Sequence, residues 1–128
     1  VYEYKIKLER IIDGDTIVAK IDLGFDIFLE NQAVRLYGID TPEVRTTDLV
    51  EKKYGKYAAS FLEDLISNKS LTMRSIDYGK YGRIIGEIYA DGVYVNQLMI
   101  DAHVAVPYND SKEIREQAHL ENRKILNL

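Results

Sequence analysis

The stretch Tyr2-Glu3-Tyr4-Lys5-Ile6-Lys7-Leu8-Glu9 alternates apolar and charged side chains, the period of a strand with one buried face. Asp13-Gly14 is a turn signal, after which Ile17, Ala19, Ile21 and Leu23 resume the alternation, so a second strand follows directly. Gly24 permits another turn. Phe25, Ile27 and Leu29 then differ in parity from Val34 and Leu36, which predicts a bulge or loop near Glu30-Asn31-Gln32 and a third strand ending near Gly38.

Outward from these strands, Tyr57, Ala58, Phe61, Leu62, Leu65 and Ile66 fall at helical spacing, with Asp48 and Glu51 set three apart as a capping box. Leu71 to Ile76 and Ile84 to Ala90 read as two more strands joined by the loop Asp77-Tyr78-Gly79-Lys80-Tyr81-Gly82. Asn96 is placed to cap a short helix through His103. Asp110 and Glu113 repeat the capping spacing ahead of a polar C-terminal helix whose stripe, Ile114, Ala118 and Ile125, suits only peripheral packing. The pattern predicts an α+β, mainly β fold: a five-stranded Greek-key barrel of the OB type with three helices. An open α+β sheet is the alternative. At 128 residues the chain fits one domain, 1–128, able to bury roughly two-thirds of its unfolded surface, with no internal repeat or linker.

The absence of cysteine excludes thiol catalysis and thiolate metal sites. No apolar run is long enough to span a bilayer, so no membrane partner is expected, and the start at Val1 suggests a mature or trimmed domain. Net charge is −4, from 17 basic and 21 acidic side chains, which counts against strong unaided binding of nucleic acid. Setting aside Asp13, Asp15, Asp40 and Glu43 leaves the remainder neutral. Nucleic-acid binding is therefore expected to depend on a cation.

The charged residues at the ends of the apolar runs point to phosphodiester chemistry. A phosphate diester repels nucleophiles and gains charge in its transition state, so a site must supply cations and keep a carboxylate to activate water. Asp15 and Asp40, with a carbonyl from Thr41, are candidates for a hard divalent ion, calcium or magnesium; Asp13-Gly14-Asp15-Thr16 also has a plain reading as a turn. Arg35, held in a strand, presents a fork for phosphate or, alternatively, forms a cross-strand ion pair. Arg83 follows two glycines that let the backbone bend toward a ligand, and Glu43, after Pro42, is positioned to accept a proton from water. Lys80, Tyr81 and Tyr108 are candidates for holding a terminal phosphate and stacking on a base. His103 and His119 read as packing or surface groups.

Asp13-Gly14-Asp15-Thr16, Arg35 through Glu43, and Tyr81-Gly82-Arg83, in that order, resemble the three motifs of the staphylococcal nuclease (thermonuclease) family. Tyr89-Ala90-Asp91-Gly92 and Val95-Asn96 extend the likeness. The resemblance implies calcium held by Asp15, Asp40 and the Thr41 carbonyl, with Asp13 supporting them. It implies Glu43 as general base and Arg35 and Arg83 as transition-state stabilisers. The implied reaction is endo- and exonucleolytic hydrolysis of DNA and RNA at the 5′-oxygen, leaving 3′-phosphate ends. The segment from Lys20 to Val34 is longer than in the family's prototype, and Pro107 precedes rather than follows Tyr108.

Two functions follow. One is a monomeric calcium-dependent nuclease acting on single-stranded DNA or RNA, secreted or at the surface of a bacterium, or cytoplasmic if plasmid- or phage-encoded. The other is a catalytically silent OB module binding nucleic acid or a protein partner. Arg35, Asp40, Glu43 and Arg83 occurring together favours the first.

Overall fold

The structure, a computed structural model, describes residues 2–79 and 82–128. Strand β1 (Glu3–Asp13) turns through Gly14 and Asp15 into β2 (Thr16–Asp22), with Asp13 opposite Thr16. Strand β3 (Phe28–Leu36) runs back along β2 and sets Arg35 opposite Thr16. Ala19 faces Gln32 whereas Ile21 faces Leu29, so β3 carries one extra residue, and Asn31 takes φ 56°. That is the expected bulge, placed where the apolar parity changes.

After the first helix, β5 (Leu71–Tyr78) pairs antiparallel with β1 and with β6 (Ile84–Ala90). A parallel pairing of β6 with β3, Arg35 opposite Ile85, closes the five strands into a barrel. The fold is thus the expected α+β, mainly β, OB-type barrel with three helices. The open sheet is ruled out because its two free edges pair with each other.

Three short strands lie outside the sequence expectation. β4 (Ile39–Asp40) follows β3 after a turn at Gly38 (φ 78°) and pairs with β8 (Val106–Pro107), Asp40 opposite Val106. Two residues carry no readable alternation. β7 (Val93–Tyr94) adds a second short pairing on the edge of β6.

Helix α1 (Leu49–Ile66) lays Tyr54, Gly55, Ala58, Leu62 and Ile66 against the barrel, where Ala58, Leu62 and Ile66 join Ile17, Val34, Leu36, Met73 and Ile88 in one core. Asp48 caps it by accepting from the Val50 and Glu51 amides. Glu51 does not close the capping box. Its carboxylate instead accepts from the Glu43 amide (3.3 Å) and the Thr46 hydroxyl (3.2 Å), turning the helix start into an anchor for the preceding loop.

Helix α2 (Val95–Asp101) begins after Tyr94, so Asn96 is not its cap. Asn96 is 1% exposed; it accepts from the Ile88 amide (3.0 Å) and donates to the carbonyls of Tyr37 (2.9 Å) and Gly86 (3.3 Å). It therefore ties β6 to the end of β3. Asn96→Ala strands these buried backbone groups, each costing ~1–3 kcal/mol unpaired, and is expected to lower stability by roughly 2–4 kcal/mol in urea denaturation. A change below about 0.5 kcal/mol, the usual size for an unremarkable surface site, would contradict this role.

Helix α3 (Lys112–Leu126) is capped by Ser111, one residue beyond the expected Asp110, and none of its residues is fully buried. Polar bonds hold it down: Asn122 donates to the Ala105 carbonyl (3.1 Å), and the Tyr54 hydroxyl donates to the Arg123 carbonyl (3.4 Å). No described helix is long and apolar enough to cross a membrane.

Candidate active site

The β1–β2 turn, the β3–β4 corner and the start of β6 meet at one rim of the barrel. Asp15 is 4% exposed, yet both its oxygens are bonded: Oδ1 accepts from the Thr16 hydroxyl (2.9 Å), and Oδ2 from the Thr41 amide (3.1 Å) and the Arg35 guanidinium (2.9 Å). Arg35 reaches Asp40 Oδ1 with its other terminal nitrogen (3.4 Å), which also donates to the Ile39 carbonyl (3.2 Å). One guanidinium therefore bridges both predicted metal carboxylates. Arg35 is thus ion-paired, as the alternative reading has it, but with a side chain only 22% exposed rather than on a solvated face.

Asp40 Oδ2 faces His119 Nε2 at 2.8 Å. Burial pushes the Asp40 carboxyl upward in pKa, but the hydrogen bond and charge of His119, with the charges of Arg35 and Arg115, outweigh it and hold the group below the usual aspartate range. Arg35 is correspondingly held more firmly protonated: burial opposes its charge, and Asp15 and Asp40 more than restore it. The sequence reads His119 as a packing or surface group because it lies in no motif and 79 residues from Asp40, whose carboxylate it in fact bonds. Its one signal is the i, i+4 spacing with Arg115, which turns both toward the rim.

Glu43 is exposed, on the loop between β4 and α1. Both sides of it are gripped. Its own amide donates to Glu51, and the next amide, Val44, donates to Asp13 (2.9 Å). Asp13 thus supports the glutamate loop rather than touching Asp15 or Asp40. Desolvation and then the neighbouring Glu51, Asp13, Asp40 and Asp15 raise the Glu43 pKa above the ordinary glutamate value. So many carboxylates in range of one another mark a place where a cation would be stabilised.

Arg83 joins Arg35 in the wall of a cleft of about 560 Å³, with Tyr37, Ile85, Asp77 and Tyr108. Gly82 (φ 71°) makes the bend before it, and the Arg83 carbonyl accepts from the Gly79 amide (2.7 Å). Tyr108 is 52% exposed, its amide bonded to the Gly38 carbonyl (2.8 Å) and its ring 5.5 Å from the Arg115 guanidinium carbon. Lys80 and Tyr81 lie outside the described residues. A second cleft of similar volume, lined by Tyr4, Leu29, Met73 and Tyr78 among others, has Asp77 as its sole charged wall residue among those described. Among the described residues it offers phosphate no cationic side chain.

The model of the staphylococcal nuclease homologue family matches residues 33–125, which contain Arg35, Asp40, Thr41, Glu43 and Arg83. The chain belongs to the staphylococcal nuclease family. Among its relatives, an uncharacterized endonuclease of Escherichia coli is 33% identical over 105 residues, 80% of this chain and 60% of that protein. A probable staphylococcal-like nuclease of Oryza sativa subsp. japonica is 33% identical over 100 residues, 78% of this chain and 28% of that protein. An SPbeta prophage-derived endonuclease of Bacillus subtilis is 29% identical over 119 residues, 88% and 38% respectively. The chain spans less than two-thirds of the length of these relatives. In this staphylococcal nuclease homologue the matched residues include Arg35 and Asp40 of the rim, while Asp15 precedes the matched span.

The donor set is one of hard oxygens, the chemistry of a divalent cation such as calcium or magnesium. Two carboxylates already share a cationic partner, and the buried Thr41 hydroxyl has no hydrogen-bond partner. Among the described residues no third carboxylate or imidazole completes a cluster.

Proposed function

We propose that this protein is a calcium-dependent nuclease that hydrolyses phosphodiester bonds of DNA and RNA at the 5′-oxygen, leaving 3′-phosphate ends. The observation that carries the reading is the pair of arginines on one cleft wall, Arg35 of the pair being bonded to the two candidate metal carboxylates. Asp15, Asp40 and the Thr41 carbonyl would hold calcium, which when bound supplies positive charge to the scissile phosphate. Arg35 and Arg83 bind non-bridging phosphate oxygens with charge-assisted hydrogen bonds that strengthen as charge builds in the transition state. Glu43 accepts the proton of the attacking water. Its raised pKa suits that task, since a stronger base takes a proton more readily. Tyr108, exposed at the cleft edge, offers a face to a base, and Lys80 and Tyr81 are proposed to hold the terminal phosphate.

The test is hydrolysis of heat-denatured DNA by the intact protein. Calcium is expected to start it, chelation to stop it, and Glu43→Gln to be nearly inactive in calcium while still folded. Full activity in chelator would refute the metal role. Calcium-independent binding of DNA without cleavage would favour the silent OB module instead.

A further inference from the structure

Asp40 is held from two directions. Its backbone pairs with Val106 in β8, which fixes the main chain and leaves the side-chain torsions to be set by other contacts. Its Oδ1 contact to Arg35 is long, at 3.4 Å, whereas the Oδ2 contact to His119 is short, at 2.8 Å. An ionised carboxylate can only accept, so the imidazole donates from Nε2. The His119 side chain is 13% exposed and Asp40 23%, so water competes little for this bond. Helix α3 is fastened independently by Asn122 and by Tyr54, so His119 is not required merely to dock it.

We propose that His119 is a positioning residue that fixes the Asp40 carboxylate for the cation it shares with Asp15. The proposal rests on the calcium reading above. Outer partners that orient a metal's carboxylate ligands typically contribute about 10–100-fold in affinity, because without them the ligand must be ordered when the ion binds. The C-terminal helix would thereby contribute to the metal site without supplying a ligand of its own.

Isothermal titration of calcium into the full chain tests this. His119→Ala is expected to weaken calcium binding about 10–100-fold. The calcium concentration for half-maximal hydrolysis should rise in parallel, while kcat at saturating calcium stays close to that of the unsubstituted protein. His119→Gln, whose amide can donate to the same oxygen, recovers part of the affinity. Asn122→Ala, which removes a different tie on α3 and does not bond Asp40, lowers calcium affinity less than His119→Ala. Unaltered affinity in His119→Ala overturns the proposal, as does an equal loss in Asn122→Ala. Failure of the unsubstituted protein to bind calcium overturns the calcium reading itself, and this inference with it.

Discussion

Arg35→Ala is expected to slow hydrolysis of single-stranded DNA by about 10²–10³, the usual cost of one lost transition-state hydrogen-bond donor. Arg83→Ala should fall in the same range. The two differ in stability. Asp15, with a side chain only 6% exposed, has Arg35 as its one ion-pair partner among the described residues, so removing the arginine leaves a buried carboxylate without countercharge. Breaking a buried pair costs about 3–5 kcal/mol, and the partial exposure of Arg35 puts this case near 3 kcal/mol. Saturating calcium should restore much of that loss, since an ion bound to the native state stabilises it by mass action. Arg35→Lys keeps the charge but not the two-pronged reach to Asp15 and Asp40, and should remain well below normal turnover. Thermal denaturation with and without calcium, beside kcat at saturating calcium, separates these effects. Near-normal turnover in Arg35→Ala would exclude its assignment to the transition state.

Gly55→Ala is expected to lower both stability and activity, against helix propensity. Alanine exceeds glycine in a helix by about 1 kcal/mol, so an exposed site would gain. At position 55, however, an added Cβ would overlap the Glu43 carbonyl oxygen and stand 2.6 Å from the Glu43 carbonyl carbon and 2.9 Å from the Pro42 oxygen. These are backbone atoms, which cannot rotate away. Overpacking of this kind costs about 1–3 kcal/mol, and relief requires moving the loop that carries Glu43. A catalytic group displaced by ~1 Å can cost about 10²-fold in rate. A raised melting temperature with full turnover would show that the loop position is not critical.

Much of the barrel was legible because strand alternation is a local signal. The parity change between Leu29 and Val34 located the bulge, and the stripe through Ala58, Leu62 and Ile66 located α1. Capping assignments were less secure. Glu51 had the spacing and Asn96 the residue type for caps, yet each spends its side chain on a distant backbone, Glu51 on the glutamate loop and Asn96 on β6 and Tyr37. Short-range spacing cannot distinguish a local acceptor from a tertiary one. The β4–β8 pairing was hidden for another reason: two residues are too few to show a period.

The amino-acid order by itself determined the five barrel strands, the main helix and the candidate set Asp15, Arg35, Asp40, Thr41, Glu43 and Arg83, because these depend on side-chain alternation and on residue chemistry at the ends of apolar runs. Only the tertiary structure decided which of those groups touch. Arg35 spans Asp15 and Asp40, Asp13 holds the loop beyond Glu43, and His119 arrives from the last helix to bind Asp40. Such contacts join residues up to 79 positions apart, and they exist because barrel closure brings separate chain ends to one rim, where hydrogen bonding and charge choose partners with no regard to separation along the chain.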